Sequence, residues 1–334
     1  MLDHLKNNSH SADLIFGVLI VPKQYKTEYD VVVVVITLIA LLGVLTNGIL
    51  LWVIVRDPCK QLRTNTAILV GFNTFTNLLI SFFVSLERIL IWTSRAGIFT
   101  PQLTVYLEAC NANMFFLGSF LHAFNCYGTI VMPLRYNRMA PRSPKTTTLI
   151  ISLLWLVNAC VFTIIPLLLP SSRVLAYIQA TVTLDCIILA LLTLTFVTLY
   201  SRIFWTLYKR KNRLHSFHLR RSSQGVSVLK QNTQVATTLC IHMSYLILVW
   251  TPGTIVFMLL LYCSSCNAKQ VKLATLFLFP LLYSLFLFHP LLWLCRMTRY
   301  RRALKKILGL NSRSNVVSCS TPVTVKYPTE ETRL

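Results

Sequence analysis

The sequence predicts an all-α membrane protein, a seven-transmembrane helix bundle with an eighth, C-terminal amphipathic helix. Three observations predict it. Of 334 residues, 55% are hydrophobic and 13% charged, with a mean hydropathy of +0.63; a water-soluble chain of this size needs far more polar surface. The apolar residues gather into seven runs, 31–55, 66–92, 102–131, 147–169, 174–208, 233–262 and 271–294, each long enough to span a bilayer as a helix. The basic residues are also segregated. Eight of the 32 (Lys6, Lys23, Lys26, Arg88, Arg95, Arg173, Lys269 and Lys272) fall on one side of this threading and 24 on the other.

Within lipid every backbone N–H and C=O must be paired inside its own segment, so the runs are read as helices, and no ten-residue alternation points to a barrel. Residues 1–30 form an outer tail. Its apolar patch 14–21 is too short to span and ends at Pro22, with Asp13 before it and no small-residue cleavage site, so the first span serves as its own insertion signal. Asn7, in the sequon Asn7-Asn8-Ser9, is the expected glycosylation site. Residues 31–294 form the seven-span domain. The charge bias puts the N-terminus outside and the C-terminus in the cytoplasm of a multi-pass plasma-membrane protein.

The net charge of +22 is then a cytoplasmic collar attracted to anionic lipid. Nucleic-acid binding is not expected, because the charge flanks spans instead of striping a soluble domain. Most of the ten cysteines lie in spans, where Cys is a small apolar residue. Cys263 and Cys266, in the outer loop CSSC, could pair with each other. A zinc site would need two further ligands, and no metal or cofactor is expected. No internal repeat of the transporter kind is visible.

Single residues then mark the spans. The first carries Asn47 in TNGILLWVIV. LRTNTAILVGFNTFTNLL opens the second with Leu62-Arg63-Thr64 and sets Asn77 within it. Trp155 lies in the fourth, with Pro166 a few turns beyond, and Tyr200 in the fifth. The sixth holds Val249-Trp250-Thr251-Pro252 and the seventh His289-Pro290-Leu291-Leu292-Trp293. In this order, on these spans, they resemble the motifs of rhodopsin-like (class A) G-protein-coupled receptors, and of a divergent orphan or odorant-type branch. The resemblance covers residues 31–308.

NCYGTIVMPLRY, residues 125–136, closes the third span. Met132-Pro133-Leu134-Arg135-Tyr136 matches the family's second inner loop, and counting back sets Asn125-Cys126-Tyr127 on its Asp-Arg-Tyr. A register using Arg135-Tyr136 would leave too short a connection to Trp155 and push a proline loop into the helix. The family's arginine contacts the incoming G-protein helix; Cys126 offers neither a charge nor a guanidinium fork. The resemblance makes Asn125, Cys126, Tyr127, Tyr200, Pro252, His289, Pro290 and Trp293 the coupling and switch residues.

Other departures follow the same line. Asn77 lacks the charge that would hold the family's sodium ion, and Phe115, Leu285 and His289 are poor partners for one. The fifth-helix proline is Leu192. Position 101, where the third-helix cysteine would fall, is Pro101, and 173–184 contains no cysteine, so the family's outer disulfide is not expected. The Trp250-Thr251-Pro252 hinge is intact, and Pro252 removes a helical hydrogen bond and gives the sixth helix two rest positions.

Charges inside spans are functional candidates by default. Glu87, Arg88, Glu108 and Asp185 qualify. The resemblance sets Glu108 where amine receptors hold the acid for their ligand's ammonium, and Tyr283 on its seventh-helix partner. The carboxylate excess favours a cationic ligand. Equally, Arg88 could pair with Glu87 or Glu108 and tie two helices together. Trp250, Phe257 and Phe279 could line the same cavity or be plain packing. A retinal pigment is not expected, since the family's lysine position reads Tyr283. No enzyme is expected either, because no Ser/His/Asp, Cys/His or Gly-rich phosphate arrangement is recognisable. His215 and His218 in the third inner loop could grip a metal, but a lone pair in a basic loop is usually just solvated.

In residues 295–309, Met297, Tyr300, Leu304, Ile307 and Leu308 recur at helical spacing among Arg and Lys, with Gly309 closing the turn. This predicts a basic amphipathic helix on the inner leaflet. Residues 310–334 form a Ser/Thr-rich disordered tail. Its last residues include Thr332 and Leu334, and a terminal Thr-x-Leu resembles a PDZ-domain ligand. The expected partners are the bilayer, an unknown small-molecule or peptide ligand, a heterotrimeric G protein and a PDZ-domain protein. The expected function is an orphan receptor signalling through a degenerate Asp-Arg-Tyr. The alternatives are an odorant or chemosensory receptor, or a non-signalling scaffold or decoy acting through its tail.

Overall fold

The apolar runs fold as the bilayer constraint requires. In a computed structural model that describes residues 26–92, 101–139, 144–169, 171–216, 223–263 and 268–310, the spans are α1 (Lys26–Arg56), α2 (Asn65–Trp92), α3 (Pro101–Val131), α5 (Pro144–Ala159), α7 (Ser171–Ser216), α8 (Ser223–Tyr262) and α9 (Ala268–Arg296). Between α3 and α5 lies the short α4 (Pro133–Met139), and α10 (Thr298–Ile307) follows α9. The fourth span continues past α5 through a π turn, Cys160–Ile164, into α6 (Ile165–Leu168). There the Ile165 N–H bonds to the Cys160 carbonyl, one residue farther than in an α-helix. Seven of these helices are long and apolar enough to cross a membrane.

Three expected boundaries shift. The first span begins at Lys26, so the polar residues before Val31 already belong to the helix. The fifth runs to Ser216 and the sixth begins at Ser223, each well beyond its apolar stretch. At 46 residues, α7 is roughly 69 Å long at 1.5 Å per residue, about twice the hydrocarbon thickness. His215 therefore lies on α7 instead of in a loop, and His218 lies outside the described residues. Asn7, Cys266, Thr332 and Leu334 also lie outside them, as do the side chains of Glu108 and Phe257. Cys263 is disulfide-bonded, as is Cys59 in the connection between α1 and α2.

The helices pack in chain order, α1 on α2 and α2 on α3, then α7 on α8 and α8 on α9, and α9 returns against α1 to close the ring. At the centre α3 touches α2, α5, α7 and α8. Large apolar side chains such as Leu38, Leu45, Leu191 and Leu194 are exposed outward, which suits lipid and would be a liability in water. Two apolar clusters fill the interior. One joins Val32, Ile36, Ile80, Val84, Leu276 and Tyr283 of α1, α2 and α9. The larger joins α3, α7, α8 and α9 and includes Cys126, Tyr200, Leu239 and Trp293.

Proline sets one inter-helix tie. Pro290 has no N–H, which leaves the carbonyl of Phe286, four residues earlier, without its helical donor. The Nδ2 of Asn47 donates to that carbonyl at 2.8 Å and to Gly43 O at 2.8 Å, joining α1 to α9. In the connection between α1 and α2, Thr64 Oγ1 caps α2 by accepting from Ala67 N at 3.2 Å. The Asp57 carboxylate accepts from Gln61 N and Leu62 N at 2.9 and 3.1 Å.

The C-terminal helix ends as its sequence predicts. Gly309 has φ +66° and Leu310 N donates to Lys305 O at 3.0 Å, a Schellman turn. Part of its apolar face packs inward. Met297 and Tyr300 are buried in the bundle's main cluster, and only Leu308 is exposed at the far end. Lys306 Nζ donates to Pro58 O at 3.0 Å, fastening α10 to the connection between α1 and α2.

Candidate functional site: the inner end of the bundle

The helix boundaries decide the register of 125–136. Helix α3 stops at Val131 and Pro133 opens α4, so Arg135 and Tyr136 lie beyond the span and Asn125-Cys126-Tyr127 occupy its last two turns. Asn125, 5% exposed, makes two ties. Its Nδ2 donates to Thr66 Oγ1 of α2 at 3.0 Å, and its Oδ1 accepts from the hydroxyl of Tyr136 on α4 at 2.5 Å. Burial pushes the Tyr136 phenol above its ordinary value, so it stays a protonated donor at physiological pH. Gly128, one turn below Asn125, gives the Tyr136 ring room, since a Cβ there would stand 2.1 Å from Tyr136 Cδ2.

Cys126 is a free thiol, 2% exposed, packed in the main cluster. Tyr127 is half-buried against the same cluster. Tyr200 of α7 is buried between Phe196 and Phe204, with ring centroids at 4.5 and 6.2 Å. Cys126 lines a cavity of about 510 Å³ between α2, α3, α8, α9 and α10. Val235 and Leu239 of α8, Trp293 and Met297, and Arg299 and Tyr300 of α10 complete much of its wall. Two contacts hold the helices around it. Arg210 on the inner extension of α7 donates to Ile130 O at 2.7 Å. Gln234 Nε2 of α8 donates to Arg296 O at the end of α9.

Above the cavity lies a layer of imidazoles, of which sequence reading named His289 and missed His122 and His242. His122 of α3, His242 of α8 and His289 of α9 are each 1–2% exposed. His242 meets His289 edge-on at 5.1 Å, and Phe115 packs edge-on against both, at 5.2 and 6.1 Å. His122 meets the Trp293 indole at 5.5 Å, and its Nε2 lies 3.2 Å from Thr66 O. His289 and Asn77 have no protein hydrogen-bond partner on either polar atom. The described polar side chains of this layer are amides, hydroxyls and imidazoles, with no carboxylate to hold a cation. The signal was available in the sequence, since a histidine inside a span is as much a candidate as a carboxylate.

The expected ligand residues separate into two places. Trp250 packs edge-on against Phe116 at 5.0 Å in the main cluster. Asp185 of α7 is hydrogen-bonded to Asn113 of α3, and its Oδ1 is buried without a partner. Tyr283 instead lies in the α1–α2–α9 cluster, with Phe279 stacked on it at 6.2 Å. Glu87 and Arg88, both buried on α2, approach within 3.9 Å. Pro252 lies inside α8 and Pro290 inside α9.

No protein-family model matches the sequence, and no curated protein does. Among solved structures the chain resembles the crystal structure of squid rhodopsin, with a TM-score of 0.70 over 87% of each chain at 14% identity. The protein has the rhodopsin-like fold: seven membrane-length helices and a short C-terminal helix.

Proposed function

We propose that this protein is a plasma-membrane receptor of the rhodopsin-like class, with its N-terminus outside, which binds a ligand among its spans and signals to heterotrimeric G proteins from its inner face. The observation that carries this reading is the cavity of about 510 Å³ at the inner end of α3. It lies at the inner end of α8, whose interior Pro252 gives it a point about which to swing. Asn125 supports the reading as well. A neutral amide, it holds α2 and α4 by donating to one and accepting from the other. Its ties form without the aspartate that the resemblance leads one to expect.

The test is second-messenger output across the G-protein classes in cells expressing the wild type or Cys126→Arg. Wild-type output above that of untransfected cells is expected, with a larger output from Cys126→Arg. A second reading rests on Cys126 itself, whose buried thiol supplies no cation. If only Cys126→Arg signals, the protein is a non-signalling scaffold or decoy.

For the ligand we favour a cation held by Asp185, because its Oδ1 is buried and unpartnered one helical turn from Leu189 of the main cluster. Asp185→Asn is expected to weaken responses to amine agonists roughly ten- to hundredfold with basal output unchanged. Full amine potency in both Asp185→Asn and Glu108→Gln would rule out this assignment.

A further inference from the structure

Among the described residues, the inner cavity has one charged residue on its wall, Arg299. The polar groups around it, among them Thr66, Asn125, Gln231 and Asn232, are neutral. Arg299 is half-buried and has no hydrogen bond or ion pair among the described residues. Burial pulls its guanidinium below the ordinary arginine value, the direction for a cation that has lost water without gaining a carboxylate; arginine nonetheless stays charged. A second feature occupies the same corner. Met297, the N-cap of α10, gives no side-chain cap, and the first turn contains no acidic residue. Met297, Arg299 and Tyr300 all line the cavity, so the orphan N–H groups and the positive end of the α10 dipole lie at its wall.

We propose that Arg299 is the cation that receives the carboxyl-terminal end of a transducer helix, taking over from α10 the task for which position 126 has no charge. This rests on the coupling reading above. A helix end is the occupant whose charge complements this corner of the cavity. The last turn of a helix presents unpaired carbonyls, the negative end of its dipole and a terminal carboxylate, which a guanidinium fork binds bidentately. Its apolar side chains would meet Ile130, Val235, Leu239 and Met297.

The test uses full-length receptor in lipid nanodiscs and fluorescent eleven-residue peptides with the carboxyl-terminal sequences of the G-protein α classes. Each peptide is made as free acid and as amide, and binding is read by anisotropy. Wild type is expected to bind at least one free acid and to bind its amide more weakly. Arg299→Gln is expected to weaken the free acid roughly ten- to hundredfold. Arg299→Lys should retain part of the affinity. Arg302→Gln, an exposed neighbour on α10, should retain all of it and report a folded helix. Cys126→Arg combined with Arg299→Gln should restore binding by returning a cation to the opposite wall. Wild-type binding that Arg299→Gln leaves intact overturns this inference and spares the coupling reading. Binding to no peptide by wild type, with or without Cys126→Arg, overturns both.

Discussion

Replacing Trp293 by alanine is expected to lower stability by about 3 kcal/mol, on the cavity scale of roughly 24 cal/mol per Å³ for a hole the size of an indole. The transfer part of an ordinary core substitution drops out here, because unfolded spans remain in hydrocarbon, so the cavity and the lost contacts dominate. Trp293 is 1% exposed and meets His122 of α3, His289 of its own helix and Tyr300 of α10, at 5.5, 6.4 and 5.8 Å, all edge-on. It is therefore the joint of three helices, and each aromatic contact adds about 0.5–1.5 kcal/mol beyond its area. Trp293→Phe keeps a ring in the site and should lose less than about half as much. Thermal unfolding in nanodiscs checks the stability, and amide exchange over 298–307 checks whether α10 loosens. An alanine variant as stable as wild type, with α10 still protected, would show that the joint is elsewhere.

The seven spans were legible because lipid leaves a chain no other way to pair its backbone, and hydropathy reports lipid directly. The same reason explains the errors. Where α7 and α8 run past the bilayer, from Tyr208 to Ser216 and from Thr233 back to Ser223, the residues are polar and the hydropathy signal stops before the helix does. The π turn at Cys160–Ile164 changes one hydrogen-bond step and leaves no mark on composition. Amphipathic spacing predicted α10 and its apolar face, yet spacing does not say what covers a face, and Met297 and Tyr300 turned into the bundle.

The site divides along similar lines. Residues named one by one, such as Asn125, Cys126 and Trp293, do line a common cavity, since their motifs sit at the inner ends of adjacent helices. What sequence reading missed are the pairings. His122, His242 and His289 come from three spans more than a hundred residues apart at the extremes, and only the closed ring brings their imidazoles into one layer. Tyr136 was read as a loop marker. Its role as the partner of Asn125 depends on α4 folding back against α3, which a local pattern does not encode. Tyr283 illustrates the converse. Its position by count put it in a ligand pocket with Glu108, and the packing of α9 turned it toward α1 and α2.

Gly128→Ala is the sharpest probe of that fold-back. The new methyl would stand 2.1 Å from Tyr136 Cδ2 and 2.7 Å from its Cγ, well inside contact distance, and the ring is not free to slide. Its hydroxyl is fixed on Asn125 Oδ1 at 2.5 Å, and its backbone N–H on Met132 O at 2.8 Å. The ring must leave, the Asn125 bond breaks, and an amide oxygen inside the bundle loses its donor. Overpacking and the orphaned acceptor together are expected to cost roughly 2–4 kcal/mol, read as a lower unfolding temperature in nanodiscs. Tyr136→Ala removes the same bond and also clears the space that the methyl needs. The double variant should therefore be no less stable than Tyr136→Ala alone, a strongly non-additive cycle. If the two losses simply sum, the methyl is meeting something other than Tyr136, and the α3–α4 contact does not have the form described.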